Sequence, residues 1–137
     1  MANFSDKMEN DVINHFLMNQ TSTAKTQHFL ALFTASSGLE ANLPTAEVSG
    51  GAYARATATF TTATAGTSEN GATVTWAEAT ADWGTLTHLA IVDDVSNTEY
   101  GGTHTNVLMW GALTASKTVG TGDTFRIAAG DLDITVA

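Results

Sequence analysis

The stretch Ala79-Thr-Ala-Asp-Trp-Gly-Thr-Leu-Thr-His-Leu-Ala-Ile-Val92 decides the fold. A turn-forming Asp82-Trp83-Gly84 feeds a segment in which Leu86, His88, Ala90 and Val92 share one face and Thr85, Thr87, Leu89 and Ile91 the other. Both faces are largely apolar, so the pattern predicts a strand in the middle of a sheet with cover above and below. The preceding Trp83 is large enough to close one end of a core.

Working outward, Thr26-Gln-His-Phe-Leu-Ala-Leu-Phe-Thr34 is an apolar run of strand length that also reads as central. The loop 35–51 follows, with the sole proline, Pro44, and the breaker Ser49-Gly50-Gly51 at its end. Residues 52–60 alternate strictly, which predicts a strand with Ala52, Ala54, Ala56, Ala58 and Phe60 inward. Tyr53, Arg55, Thr57 and Thr59 then fall on a wet face. Residues 61–71 are a low-complexity Thr/Ala/Gly/Ser connection closed by the turn signal Asn70-Gly71. Residues 72–77 resume the alternation and bury Val74 and Trp76. A long polar loop, 93–105, leads to a strand over 107–113, a tight turn at 118–123, a strand over 124–128 and a last strand over 132–136.

These seven or eight short strands predict a mainly β fold: an antiparallel β-sandwich over residues 26–136, inside a single domain of 137 residues. One N-terminal amphipathic helix is expected over 4–20. Phe4, Met8, Val12 and Phe16 recur every four residues beside Ile13 and Leu17, and Asn3 or Ser5 stands ready to cap it. Two destinations fit this stripe. It covers the protein's own sheet, or it is an arm whose Phe4, Met8, Val12 and Phe16 form an assembly interface with a neighbouring subunit.

Composition narrows the function. Five basic against fourteen acidic residues give a formal charge of -9, which argues against nucleic acid as a partner. No apolar run approaches the ~18 residues of a membrane span, so no membrane is expected. The first residues lack the basic and apolar regions of a secretory signal, which points to synthesis in the cytoplasm. Without cysteine, disulfides and thiolate metal sites are excluded. Charged residues are 14% of the chain, below the ~25% of an average domain, with Thr, Ala and Ser in their place.

The chemistry-bearing residues show no catalytic pattern. His15, His28, His88 and His104 are scattered without a zinc-type spacing. Asp93, Asp94 and Glu99 supply oxygen ligands on one loop but do not match a calcium-loop spacing. Glu78 and Asp82, between Trp76 and Trp83, are the one carboxylate pair close to aromatic residues, and a turn role explains Asp82 more simply. Neither a phosphate loop nor a serine-nucleophile motif is present. The expectation is a protein that is not an enzyme and carries no cofactor and no metal. Tyr100, with Asp93, Asp94, Glu99 and His104, marks a candidate recognition loop.

Several words of the sequence resemble a family of small tailed-bacteriophage virion proteins labelled tail-fibre or head-decoration proteins. They are His28-Phe-Leu-Ala-Leu-Phe-Thr-Ala35, Glu47-Val-Ser-Gly-Gly-Ala-Tyr-Ala-Arg55, residues 79–88, Trp110-Gly-Ala-Leu-Thr114 with Lys117-Thr-Val, and Gly122-Asp-Thr-Phe-Arg-Ile-Ala-Ala-Gly130. The resemblance implies a structural role in the virion, with other virion proteins (the major capsid protein or tail proteins) as partners and a homo-oligomer as the working form. It implies most directly a capsid decoration or cement protein on the particle exterior. The alternative is a tail-fibre or receptor-binding module that recognises the host surface.

Overall fold

The computed structural model describes residues 3–96, 100–101 and 105–136. In chain order the elements are β1 (Asn3–Phe4), α1 (Asp6–Leu17), β2 (His28–Phe33), β3 (Ala56–Ala58), β4 (Thr67–Glu69), β5 (Val74–Thr75), β6 (Gly84–Val92), β7 (Val107–Val119), β8 (Arg126–Ile127) and β9 (Asp133–Thr135). The two runs that are apolar on both faces, β2 and β6, lie side by side in the middle of a five-stranded antiparallel sheet of order β1-β7-β6-β2-β3. Phe29 stands opposite Val92 and Phe33 opposite His88. The fold is thus mainly β with one N-terminal helix, as the alternation predicts.

Each face of the sheet has its own core. On one side Leu30, Leu32, Leu89 and Ile91 meet Val74, Trp76, Phe125 and Ile134. The last four belong to or adjoin a second layer made of two ribbons, β4 with β9 and β5 with β8. On the other side Phe29, Ala31, Phe33, Ala90 and Val92 are sealed by Leu39 and Val107. Each of these large side chains stabilises the fold by roughly 1.5–3 kcal/mol through loss of water contact.

Four details differ from the sequence reading. Leu86 does not lie with Ala90 and Val92; it packs in the same core as Leu89 and Ile91. The cause is a break in register: Leu86 pairs with Lys117 but His88 pairs with Ala112, so residues 113–116 of β7 face Thr87 alone. Such a bulge resets which side the next residue faces. Because β7 absorbs this insertion it runs to Val119, past the expected strand end at 113, and the turn begins only where the Asp123 N–H donates to Gly120 O. The low-complexity stretch 61–71 contains β4, which closes the sheet's second layer from 66 residues away in sequence, Thr67 opposite Thr135 and Glu69 opposite Asp133. The expected strand 52–60 reduces to β3, and Arg55, placed by alternation on the wet face, is buried.

Trp83 plugs the core as expected, and its indole N–H donates to Gly51 O at 2.9 Å. Gly51 has φ +56, and a Cβ there would sit 2.8 Å from Ala81 O. A side chain at 51 is therefore excluded by both conformation and contact.

Candidate functional site

A buried polar assembly is built around Arg55, in the segment that leads into β3. Its Nε and one terminal nitrogen hold both oxygens of Glu47 at 2.8 and 2.7 Å, a bidentate pair almost wholly removed from water. The other terminal nitrogen donates to Asp94 O, Ser96 O and Thr105 Oγ1. Tyr53 donates to Glu47 and accepts the Leu32 backbone N–H, while Tyr100 donates to Glu47 and lies with its ring 5.1 Å from the guanidinium. Burial alone would lower the Arg55 pKa, but the hydrogen bond and charge of Glu47 outweigh it and raise it. Burial, then the Glu47 charge, pushes both tyrosine hydroxyls far above their ordinary value.

A second buried cluster fixes the base of the loop. Asp93 takes the backbone and side-chain N–H groups of Asn106, Asn106 accepts from Asn42 Nδ2, and Asn42 Oδ1 accepts the Val107 N–H. Of the candidate recognition residues, Asp93 and Tyr100 are thus committed to the scaffold. Asp94 is aimed differently: its carboxylate accepts the Ser96 N–H, which holds it below the usual carboxylate range. Glu99 and His104 lie outside the described residues. Asp82 clasps the 120–123 turn through the backbone N–H and hydroxyl of Thr121, so it is not paired with Glu78 across a cleft.

The helix presents a different surface. Ser5, fully buried, caps α1 by accepting the Met8 N–H and donates to Val107 O; its backbone N–H donates to Leu108 O. Met8 and Val12 are half-buried, and the half-buried Phe4 belongs to β1 rather than to the helix. Beyond them the helix leaves the body. Ile13, Phe16, Leu17 and Met18 are 50, 76, 77 and 62% exposed, so only the first half of the stripe packs on the protein's own sheet, against β7, and the second half does not.

A family model described as podophage GP4 fiber I protein gp80 matches residues 3–135. The chain belongs to this family. No curated protein matches it. As a gp80-family member it is a structural protein of a bacteriophage, in line with the resemblance drawn from its motifs, and its family suggests the virion as its location.

One further feature of this gp80-family chain is a groove of about 600 Å³ between the β6–β7 face and the segment that carries β8 and β9. Leu89, Ile91, Met109, Leu113, Phe125 and Ile127 line it. The bulged residues 113–115 of β7 form one wall, which is why alternation alone does not reveal it. Among the described residues the carboxylates of Asp6, Glu9 and Glu40 are the one group with metal-ligand spacing, all exposed, and Glu40 accepts the indole N–H of Trp110. Sequence reasoning missed Glu47, Asn42 and Asn106. The signal for Glu47 was present, since it shares the quoted segment 47–55 with Tyr53 and Arg55.

Proposed function

We propose that this chain is a non-enzymatic assembly module of the phage virion, part of a fibre or of its attachment, and that α1 joins it to other virion proteins. One observation carries this reading: Ile13, Phe16, Leu17 and Met18 form an exposed apolar stripe on a helix whose start is locked into the body by Ser5. An anchored helix holding such a patch in water fits a surface made for a protein partner. The family's description as a fibre protein favours the fibre over the capsid exterior. Titratable groups that would serve chemistry elsewhere, Arg55, Glu47, Tyr53 and Tyr100, are spent here on tying Asp94, Ser96 and Thr105 to the segment that leads into β3. In a fibre that loop and loop 35–51, tied together through Asn42 and Asn106, are the face available for host recognition.

Labelling this chain on intact particles and imaging them tests the location. Label confined to the tail or its fibres is expected; label spread over the head shell would overturn the fibre reading in favour of capsid decoration. Incorporation of Phe16→Asp protein into particles tests the surface. Loss of incorporation with an unchanged fold is expected, and incorporation at the wild-type level would overturn the role of α1.

A further inference from the structure

We propose that the last turns of α1 from one copy seat in the groove between the β6–β7 face and the β8–β9 segment of a second copy. This rests on the assembly reading of α1 and adds the partner and its receptor. The side chains that α1 exposes, Ile13, Phe16 and Leu17, stand at positions i, i+3 and i+4, the anchor spacing by which an amphipathic helix lies in an apolar groove. The groove lies within the ~300–1,000 Å³ of sites that enclose a ligand of that bulk, and aliphatic and aromatic side chains line it together with polar and charged ones.

A second copy is the occupant because the same chain exposes both the apolar arm and the groove, and their charge lets two copies meet there. A chain of net charge -9 repels its own copies unless they meet through neutral surfaces. Residues 12–24, the half of the helix that leaves the body and the segment after it, contain no Asp, Glu, Lys or Arg. The charged residues lining the groove are Lys117, Arg126, Asp131 and Asp133, which cancel. Of the five basic residues Lys7 is paired with Asp11 and Arg55 is buried with Glu47, which leaves Lys117 and Arg126 at the groove and Lys25 in the segment after the helix. An uncharged helix end entering a charge-balanced groove brings two acidic bodies together at a place where neither presents excess charge. The arm and groove are different surfaces, so the contact is heterologous and each copy offers one of each.

Sedimentation of the full chain over a range of concentrations tests this, with Phe16→Asp disabling the arm and Ala115→Trp filling the groove from its exposed wall. Wild-type protein is expected to self-associate as concentration rises. Each variant should weaken that association by about 30-fold or more, the loss typical of a central anchor. Mixed in equal amounts, the two variants should form a complex that stops at a dimer, since only one intact arm and one intact groove remain. Thr114→Arg on the same wall is the parallel groove variant if Ala115→Trp does not fold. A wild-type chain that stays monomeric throughout, or folded variants that do not associate when mixed, would overturn the arm-in-groove contact. If that happens while Phe16→Asp is still excluded from particles, α1 remains an assembly surface and only the second copy is lost as its partner.

Discussion

Arg55 draws five hydrogen-bonding partners into one point: Glu47, Tyr100, Thr105 and the carbonyls of Asp94 and Ser96. Removing the guanidinium leaves the Glu47 carboxylate, 8% exposed, without its countercharge while only the Tyr53 and Tyr100 hydroxyls still donate to it, so Arg55→Met is expected to cost about 3–5 kcal/mol, read as a lower urea midpoint. Adding Glu47→Leu to Arg55→Met should recover part of that loss, because the stranded charge goes with its partner. If the double variant is no more stable than the single one, the cost does not come from the stranded carboxylate. The tyrosines give the cluster a pH signature. Tyr53 and Tyr100 ionise in the folded protein only far above the value of about 10 that they have when unfolded. A raised folded pKa contributes stability that is complete below the unfolded value, and it is lost as pH rises above it. Stability should therefore fall above about pH 10, by up to about 1.4 kcal/mol per pH unit for each tyrosine. Tyr100→Phe should make that alkaline slope shallower, and an unchanged slope would exclude Tyr100 as a source. In the sequence, Arg55 is one polar position in a strict alternation, which places it on a wet face. What buries it is a loop nearly 40 residues downstream, and no periodicity encodes that contact.

At the scale of elements, the two ribbons of the second layer are short, and they need pins beyond their ladders. Asn70, read in the sequence as a turn residue before Gly71, is such a pin. Buried to 1%, it donates to Ala72 O and Ala128 O and accepts the Leu132 N–H, which ties β4, β5 and the chain between β8 and β9 together. Asn70→Ala deletes all three bonds; Ala128 O keeps the Asp131 N–H, while Ala72 O and the Leu132 N–H lose the partner that Asn70 supplied. A loss of about 2–4 kcal/mol is expected by chemical denaturation, against about 1 kcal/mol or less for a surface turn residue. Phe16→Ser at the other end of the molecule should stay within about 0.5 kcal/mol of wild type, because the ring touches water rather than core. A large loss there would mean that α1 belongs to the folding unit. The central strands were legible because β2 and β6 are apolar on both faces, a pattern few other elements share. The helix was legible as an element through its repeat of four, but its two destinations differ only in what lies beneath the stripe. The bulge at 113–116, with the groove it walls, has no local signature, since Leu113-Thr-Ala-Ser116 reads equally well as regular strand.

For the whole molecule, the question is whether the five-stranded sheet and its ribbon layer unfold as one body. The ribbons have two or three residues per strand, too few to stand alone. They hold through the core they share with the sheet, where Trp76 packs edge-on against Phe125 at 5.3 Å and Ile134 is 8% exposed. Leu30, Leu32, Leu89 and Ile91 would lose their cover if the ribbons left, so detachment exposes the sheet's own apolar face and is opposed by the same burial that holds the sheet. Trp76 and Trp83 sit in that shared core, and their fluorescence reports it, while far-ultraviolet circular dichroism reports the strands. The two signals should give the same urea midpoint, the outcome for a sheet and ribbon layer that unfold as one cooperative unit. Ile134→Ala removes a buried branched side chain from β9 and should lower both midpoints together, by a stability equivalent of about 2–5 kcal/mol. A fluorescence change that precedes the loss of strand signal in that variant would show that the ribbon layer is a separable lid on an independently stable sheet.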